Sequence, residues 1–297
     1  MTTDFTEDTA ADAVIESFKE TPDVRLREVM TLLVRHLHDF VRDVRPSTGE
    51  WERAIDFLTA TGQMCDDTRQ EFILLSDVLG VSMLVETING DQSAVTTDST
   101  VLGPFHIVES PHRELGETID LVGAGTPCVV TGRVVSAEGV GLPGAQVDVW
   151  QANEVGFYDV QQPDLQPARN GRGLFTADHE GRFWFRTVVP SHYPIPTDGP
   201  VGQLLTTTHR HPYRPAHIHF IAAAANYRPV TTHIFVADSP YIESDAVFAV
   251  KKSLIQDFGV SDDPDRAREF GVSTPYRHTY VDLVLQAVPL TRVEQPT

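Results

Sequence analysis

Apolar residues recur at helical spacing along the first ninety residues of the chain. After Thr21-Pro22-Asp23, a typical helix start, they mostly follow one another every three or four positions. This series comprises Leu26, Met30, Leu33, Leu37, Phe40, Val41 and Val44. Ser47, with Glu50 three residues later, is a capping-box pattern that predicts a further helix. Residues from about 10 to 90 are therefore predicted to be helical.

The segment from Glu71 to Ile88 is apolar on several faces. We expect it to form one helix with Gly80 in its interior, buried against other helices or against a second subunit. The residues that follow, Gly90 to Thr100, are polar and rich in turn formers, which indicates a boundary. We therefore expect a helical domain over residues 1–100 and a second domain over residues 101–297.

Beyond Val101 the pattern changes to short runs of alternating apolar and polar residues, punctuated by Gly and Pro. Loops lie between most of these runs, and Asp245 to Phe258 is predicted as one inserted helix. Strands at irregular spacing favour a mixed or antiparallel β-sandwich over a βαβ fold, so the predicted fold class is mainly β. The clearest predicted strands are Cys128 to Val135, Ala145 to Trp150, Gly181 to Val188, Ala216 to Ala222, Thr231 to Val236 and Thr279 to Gln286.

Composition and charge limit the classes of function. The chain has 297 residues, of which 41% are hydrophobic, enough for a substantial core. Its net charge of −19 argues against attraction to nucleic acid or to anionic lipid. No apolar run is long enough for a membrane span, and the acidic stretch Met1 to Asp12 is unlike a secretory signal. Because the two cysteines, Cys65 and Cys128, lie far apart, we expect a reduced, cytoplasmic protein.

The candidate chemistry begins with the segment Arg214-Pro215-Ala216-His217-Ile218-His219-Phe220. Residues two apart on a strand point to one face, so both imidazoles are able to reach one metal ion, while Ile218 faces the other way. Pro215 suits the first position of a strand, which places Arg214 at its mouth. The alternative is an ordinary pair of strand histidines beside a loop arginine, since the chain contains 12 His.

Two tyrosines upstream complete a candidate ligand set. Tyr193 lies in a proline-stiffened loop after an alternating strand, and Tyr158 closes another strand unit after the turn residue Gly156. Either phenol alone is equally well explained as a half-buried tyrosine. Together with the imidazoles they favour Fe(III), because hard anionic oxygen ligands prefer the trivalent ion and zinc sites prefer Cys and His. A phenol, with a pKa of about 10 in water, also needs a strong Lewis acid to stay ionised at neutral pH.

Several motifs in order along the chain resemble the signature of the intradiol ring-cleavage dioxygenases. They are Val130-Thr131-Gly132-Arg133-Val134, Gly139, Leu142, Val147-Asp148-Val149, Gly156-Phe157-Tyr158 and the histidine segment from Arg214. The resemblance covers nearly the whole chain. It implies a helical N-terminal part that forms a homodimer contact, followed by a catalytic β-sandwich. It also implies a small aromatic diol and O₂ as substrates, with Fe(III) and no organic cofactor.

The resemblance implies roles for individual residues. Tyr158, Tyr193, His217 and His219 are implied to bind the iron. Tyr193 is implied to leave the metal when the diol chelates it and to accept a proton from the substrate. Arg214 is implied to stabilise negative charge on the bound diolate. The implied reaction places both atoms of O₂ in an open-chain diacid.

Position 233 distinguishes branches of this family. His233 stands where catechol-cleaving relatives usually carry glutamine, and with the stretch Ser239 to Phe248 it resembles the branch that cleaves hydroxyquinol, 1,2,4-trihydroxybenzene. His233 is therefore a candidate catalytic residue beside Arg214 and Tyr193. Asp77 is expected to accept a hydrogen bond from the third hydroxyl, and the alternative is a helix-surface carboxylate. The candidate substrate-binding residues implied by this branch are Leu74, Asp77, Val101, Leu102, Gly103, Pro104, Phe105, Ile195, Pro196 and Val247.

Three alternatives stay open on the sequence. Within the same chemistry, catechol cleavage competes with hydroxyquinol cleavage. A zinc or ferrous hydrolase would combine the two histidines with a carboxylate such as Asp148 or Asp159. A non-catalytic β-sandwich binding module would clasp a ligand with aromatic residues. The aromatic residues in question are Trp150, Phe183, Trp184 and Phe185.

Overall fold

The computed structural model describes residues 4–66, 69–90 and 95–288. The chain divides into two compact units between Ala60 and Thr61, in the last turn of the third helix. Every helix in the described ranges is too short or too polar to cross a membrane.

Both helix starts predicted near the N-terminus are confirmed. The Asp23 carboxylate accepts a hydrogen bond from the Leu26 amide at 3.0 Å and so caps the second helix. The Ser47 amide donates to Glu50 Oε2 at 2.8 Å, and the Glu50 amide donates to Ser47 Oγ at 3.3 Å, which is the reciprocal capping box. The helices of this part of the chain are α1 (Ala10–Glu16), α2 (Val24–Val44) and α3 (Thr48–Gln63).

The prediction of one helix from Glu71 to Ile88 is wrong, because two helices occupy this segment. They are α4 (Glu71–Val78) and α5 (Val81–Asn89). Gly80 between them has a φ of 72°, a left-handed conformation that glycine adopts without steric cost. The glycine therefore ends α4 instead of lying inside a longer helix.

The described residues after α5 form strands in three sheets, together with two α-helices. All six predicted strands are present, with bounds that shift by up to three residues. The elements are β1 (Pro127–Ser136), β2 (Gln146–Gln151), β3 (Arg172–Thr176), β4 (Arg182–Val188), β5 (Tyr193–Pro194), α6 (Pro200–Thr207), β6 (Tyr213–Arg214), β7 (His217–Ala223), β8 (Val230–Val236), β9 (Ile255–Gln256), β10 (Gly259–Ser261), α7 (Pro264–Phe270) and β11 (Tyr276–Leu285).

Two of these sheets form a mixed β-sandwich, as predicted. One sheet has the strand order β10-β11-β1-β4, the other has the order β3-β2-β7-β8-β9, and β5 pairs with β6 alone. The β1–β11 and β8–β9 pairs are parallel and the others are antiparallel. Phe183 and Phe185 of the first sheet meet Phe220 of the second at ring-centroid distances of 6.2 and 6.3 Å. The hydrophobic core therefore lies between the two sheets.

Strand β7 is buried on both faces and divides its side chains between two environments. Ile218 and Phe220 belong to the core between the sheets. His217 and His219 alternate with them and point to the opposite face. A single strand thus joins the hydrophobic core to the candidate site.

The predicted helix from Asp245 to Phe258 is also wrong. This segment contains turns, a short 3₁₀ helix at Lys252–Leu254, and β9. The Asp245 carboxylate accepts hydrogen bonds from the amides of Val247 and Ala249, at 3.3 and 3.0 Å. Such local bonds offer the backbone an alternative to a helix, and they fold the chain into a turn at this position.

Gly132 on β1 tests how tightly this sandwich is packed. A Cβ at this position would lie 2.2 Å from the Val281 carbonyl oxygen and 2.7 Å from Phe183 Cζ. We expect Gly132→Ala to destabilise the protein by about 1–3 kcal/mol, measured by urea unfolding, since overpacking forces neighbouring atoms to move. Gly259→Ala is the control, because the nearest atom to its added Cβ is 3.9 Å away. Equal effects of the two substitutions would contradict this packing.

Candidate metal centre

The five-stranded sheet aligns the central side chains of the site in one row. Trp150 on β2, His219 on β7 and His233 on β8 are cross-strand partners. Directly opposed residues of antiparallel strands point to the same face. The Trp150 ring stacks on His219 with centroids 4.5 Å apart and 13° between the planes, and the His233 ring lies perpendicular to His219 at 4.1 Å. Rings from both neighbouring strands therefore fix the orientation of His219.

His217 reaches the same point from two positions away on β7. Its Nδ1 lies 2.7 Å from the Pro215 carbonyl oxygen, so Nδ1 carries the proton and Nε2 keeps its lone pair. This Nε2 is 3.2 Å from Nε2 of His219. The two imidazoles converge through their Nε2 atoms.

Both tyrosines bring their hydroxyl groups to this pair. Tyr158 Oη is 3.0 Å from His219 Nε2, and Tyr193 Oη is 3.5 Å from His217 Nε2. The Tyr158 amide donates to Gln161 Oε1 at 2.9 Å, which anchors the short turn that follows β2. Tyr193 belongs to β5. The structure thus gathers the four candidate ligands into one buried group.

Burial determines the protonation of these groups. Burial raises the pKa of the Tyr158 phenol well above its usual value, and the neighbouring Tyr193 adds to the rise. Burial lowers the pKa of His217, which the Arg214 charge lowers further. Burial is also the main cause of the lowered pKa of His219, followed by a neighbouring imidazole. The imidazoles are therefore neutral, with lone pairs available, and the phenol needs a nearby cation to ionise.

The spacing of the donor atoms fits a metal ion. Neighbouring donor atoms of Tyr158, Tyr193, His217 and His219 are 3.0 to 3.5 Å apart. A tetrahedral site with bonds of about 2.0–2.1 Å would place its donors about 3.3 Å apart. Among the described residues, one group of His, Cys, Asp or Glu lies close enough to share an ion, namely the two histidines of β7 with His233. Neither ring nitrogen of His233 makes a hydrogen bond. The donor chemistry therefore supports a metal site here.

Arg214 on β6 lies beside this group. Its Nη1 is 3.5 Å from Tyr193 Oη and 3.3 Å from His217 Nε2. Its Nε and Nη2 atoms donate to the Asp245 carboxylate at 3.1 and 3.4 Å, and both partners are buried. The sequence offered no signal that Asp245, 31 residues later, balances this charge. The bond to Asp245 therefore holds the Arg214 guanidinium in a fixed position beside the donor atoms.

A second buried ion pair, also missed from the sequence, lies behind Tyr158. Asp159 Oδ1 accepts from Arg172 Nε at 2.8 Å and from Arg172 Nη2 at 2.6 Å. Arg172 is the cross-strand partner of Trp150, and its Nη1 is buried without a hydrogen-bond partner. Its charge lowers the pKa of Tyr158, in opposition to the effect of burial. The two residues are 13 positions apart in the sequence, and the folded chain brings their side chains into contact.

The carboxylates proposed for a hydrolase are used elsewhere. Asp159 is paired with Arg172, and Asp148 Oδ2 lies 3.2 Å from His106 Nε2. Neither belongs to the group of side chains that converges on the two histidines of β7. The structure therefore gives the hydrolase alternative no support.

The aromatic residues proposed for a binding module also have other environments. Phe183 and Phe185 are buried in the core between the sheets, and Trp184 packs on Phe270 with centroids 5.4 Å apart. Trp150 stacks on His219. Phe183 and Trp184 line one cavity of about 400 Å³, but Trp150 and Phe185 do not line it, so the four rings do not share one binding surface.

Four of the candidate substrate-binding residues line one cavity of about 600 Å³. They are Leu74, Pro104, Phe105 and Pro196. The Phe105 ring stacks on Tyr158 with centroids 4.5 Å apart, so one wall of this cavity lies against a candidate metal ligand. Gly103 has a φ of 78°, and an added Cβ would lie 3.0 Å from His219 Cε1. This glycine therefore lets the loop pass close to the imidazole.

The remaining candidates occupy other positions around the group. Ile195 follows β5, and Val247 donates its amide to Asp245. The Val101 backbone lies near His233 and raises the pKa of this imidazole, in opposition to the larger effect of burial, although the two groups are not hydrogen-bonded. Leu102 is exposed and lines a different cavity.

Asp77 on α4 is buried and interacts with the charges of the site. Burial raises the pKa of its carboxyl group, whereas a hydrogen bond with Ser82 and the Arg214 charge lower it. Asp77 is therefore close enough to Arg214 to respond to its charge. The alternative reading of Asp77 as a carboxylate on the helix surface does not fit this burial.

Comparison with known proteins agrees with this geometry. Residues 102–285 match the family model described as "Dioxygenase", and residues 23–97 match the model described as "Catechol dioxygenase N terminus". Together the two matches span nearly all of the described chain.

Individual relatives are similar over most of their length. A hydroxyquinol 1,2-dioxygenase of Rhizobium sp. (strain MTP-10005) is 51% identical over 267 residues, which cover 90% of this chain and 90% of that protein. The crystal structure of a hydroxyquinol 1,2-dioxygenase from Pseudomonas putida DLL-E4 superposes with a TM-score of 0.89 at 47% identity, covering 95% of this chain and 98% of that one. A catechol 1,2-dioxygenase from Acinetobacter sp. ADP1, solved with inhibitory mercury bound, gives a TM-score of 0.80 at 27% identity, covering 99% and 97%. This chain therefore belongs to the intradiol ring-cleavage dioxygenase family.

Proposed function

We propose that this protein is an Fe(III) intradiol dioxygenase that cleaves hydroxyquinol with O₂ to give 3-hydroxy-cis,cis-muconate (maleylacetate). The observation that carries the proposal is the convergence of two phenols and two imidazoles beside a buried arginine. Two findings support the choice of substrate. The chain belongs to the family, and two relatives that are about 50% identical to it are hydroxyquinol 1,2-dioxygenases. Catechol cleavage is the second candidate, because residues 23–97 match a model described by that substrate.

The donor set favours ferric iron over zinc. Tyr158 and Tyr193 would bind through hard anionic oxygens, and His217 and His219 through neutral nitrogens. Bound there, Fe(III) would supply a strong Lewis acid that keeps phenolates and a chelated diolate ionised. Burial alone opposes ionisation of Tyr158, so this donor set suits a trivalent cation. His233, whose ring lies 4.1 Å from that of His219, then remains an imidazole beside the donor group.

Arg214 and Tyr193 have distinct roles in this proposal. Arg214 stays charged because Asp245 is bonded to it, and its Nη1 faces the donor group. A fixed cation at this point stabilises negative charge that develops on the aromatic ring, and no solvent must reorganise to do so. Tyr193 Oη lies within reach of Arg214 and is the proton acceptor for a diol hydroxyl.

Asp77 would select the diol. A buried carboxylate accepts a hydrogen bond from the third hydroxyl of hydroxyquinol, whereas catechol has no hydroxyl group at this position to donate one. Leu74, one turn earlier on α4, lines the cavity beside Phe105. The helix therefore contributes both an apolar contact and a polar contact to the substrate.

We further propose a homodimer, with residues 1–100 as the dimerisation domain and residues 101–297 as the catalytic domain. In the single chain, α2 and α3 expose an apolar stripe of a size that helices normally bury. It comprises Leu26, Val29, Leu32, Leu33, Leu37, Phe40, Val41, Val44, Trp51, Ile55 and Leu58. A cytoplasmic setting is supported by the free thiols of Cys65 and Cys128.

Oxygen uptake on the two diols, side by side, tests the function. The purified protein should consume O₂ with hydroxyquinol at a kcat/KM at least about 10-fold higher than with catechol, as expected for a site with one more matched hydrogen bond. It should also show the visible absorption band of tyrosinate bound to iron. A colourless protein that contains stoichiometric iron would contradict the proposed ligand set. A higher kcat/KM for catechol than for hydroxyquinol would contradict the proposed substrate and favour catechol.

Removal of one imidazole tests the metal site. His219→Ala should abolish retention of iron through gel filtration, because loss of one of four protein ligands removes much of the affinity. His179→Ala is the control, because this histidine is exposed and its Nε2 lies 3.9 Å from the exposed Glu180 carboxylate. Iron content is measured by metal analysis, and normal iron in the His219 variant would remove His219 from the ligand set.

Removal of the Asp77 carboxylate tests diol selection. Asp77→Ala should lower kcat/KM for hydroxyquinol by about 10- to 100-fold, the worth of one hydrogen bond to a charged group. Catechol turnover should change far less. Asp39→Ala on α2 is the control, since that carboxylate is exposed. Equal losses on both diols would show that Asp77 supports the fold of the site and does not read the third hydroxyl.

A further inference from the structure

Helix α4 carries two candidate substrate contacts, and its N-terminal end is fixed to α6. The Glu71 side chain is fully buried and accepts hydrogen bonds from Arg69 Nη2 at 2.8 Å and from the Val201 amide at 3.2 Å. Arg69 also pairs with Asp198 at 2.9 Å. The first turn of α4 is therefore held against the start of α6.

Arg210 holds the other end of α4. It follows α6, and its amide donates to the Leu205 carbonyl oxygen at 2.9 Å. Its Nη1 donates to the carbonyl oxygen of Val78, the last residue of α4, at 2.6 Å. Carbonyl groups in the last turn of a helix lack partners within the helix, and a cation there is favoured by the helix dipole. Val78 directly follows Asp77.

The same guanidinium also holds a second wall of the site. Its Nη2 donates to the Ala246 carbonyl oxygen at 3.0 Å. Ala246 lies between Asp245, which pairs with Arg214, and Val247, a candidate substrate contact. The guanidinium carbon of Arg210 lies 5.0 Å from the centre of the Phe248 ring. One planar side chain thus joins the end of α4 to the loop that follows Ser244.

We infer that Arg210 is a positioning residue for diol selection, which sets the distance between Asp77 and the Asp245–Arg214 pair. This inference rests on the proposed function, because it concerns how the same site recognises the third hydroxyl. Arg210 acts through backbone groups on two walls and has no contact of its own with the donor atoms among its hydrogen bonds. The planar fork of a guanidinium can hold two carbonyl groups at a fixed separation, which a lysine ammonium does less well.

Loss of Arg210 should affect the two diols unequally. The N-terminal clamp at Glu71 would persist, and Asp245 would keep its bonds to Arg214 and to nearby amides, so the freed segment is the end of α4 that carries Asp77. The metal donors lie on β7, β5 and the turn after β2, and none of them is held by Arg210. A displacement of Asp77 by a fraction of an ångström therefore weakens recognition of the third hydroxyl and leaves the chelating pair of hydroxyls unaffected.

The experiment measures kcat/KM on both diols for Arg210→Gln and Arg210→Lys. The ratio of hydroxyquinol to catechol should fall about 10-fold in the Gln variant, and less in the Lys variant, as expected for a misplaced contact. The visible tyrosinate band and the iron content should match those of the wild type. Wild-type protein that turns over neither diol would contradict the proposed function, whereas active wild type with an unchanged ratio in both variants would overturn the role of Arg210.

Two further measurements separate positioning from general stability. Arg186 also bridges two backbone carbonyls, those of Gly116 at 2.8 Å and Gly271 at 3.0 Å, in segments that carry no candidate site residue. Arg186→Gln should lower the melting temperature and leave the ratio unchanged. In an Asp77→Ala background, Arg210→Gln should change the ratio by less than about 2-fold, because contacts that act through one residue are not additive. A full 10-fold effect in that background, or an equal loss on both diols, would overturn the inference.

Discussion

The candidate site depends on one register of backbone hydrogen bonds across β3, β2, β7 and β8. In this register Arg172, Trp150, His219 and His233 are successive cross-strand partners. A slip of one residue in any pair would turn the corresponding side chain into the hydrophobic core and bring an apolar residue into the site. The alternation on β7, where Ile218 and Phe220 fill the core, makes such a slip costly. The core therefore specifies the position of the imidazoles.

Charge sets a second constraint, because the donor group is buried. The Tyr158 phenol and the imidazoles of His217 and His219 occupy a region where burial disfavours their ionised forms. Each arginine near them, Arg214 and Arg172, is bonded to a carboxylate, which avoids the cost of an isolated buried charge. Each of these ion pairs has a net charge close to zero. They therefore do not supply the net positive charge that two phenolates would require. A bound trivalent cation would supply it.

The sequence predicts the elements whose signals are local. The caps of α2 and α3 and the six long strands follow from neighbouring residues, and the structure confirms them. The break at Gly80 and the turn at Asp245 are missed, because the first depends on a backbone conformation and the second on bonds to Arg214 and to nearby amides. Short strands such as β5 and β6 carry too few residues to show a period.

For the site, spacing alone places the two histidines of β7 on one face. It does not predict that Tyr158 and Tyr193 reach them, since this depends on turns that end two separate strand units. The resemblance to a family supplied that expectation, and the distances in the folded chain support it. Residues that act on the candidate ligands from other elements, such as Trp150 on β2 and Asp245 in a turn, have no sequence signal, because their partners are distant along the chain.

The candidate metal donors and the candidate residue for diol selection lie on different parts of the second compact unit, residues 61–297. The candidate metal donors belong to strands and to a turn anchored on the sheet, where the core prevents movement. The candidate selector Asp77 belongs to a short helix, which the Val201 amide of α6 holds at one end and the Arg210 side chain holds at the other. Substitutions that move this helix by a small distance would alter substrate preference at little cost to the metal site. The same fold occurs in a hydroxyquinol dioxygenase at 47% identity and in a catechol dioxygenase at 27% identity, as expected if substrate preference can change while the sheet stays constant.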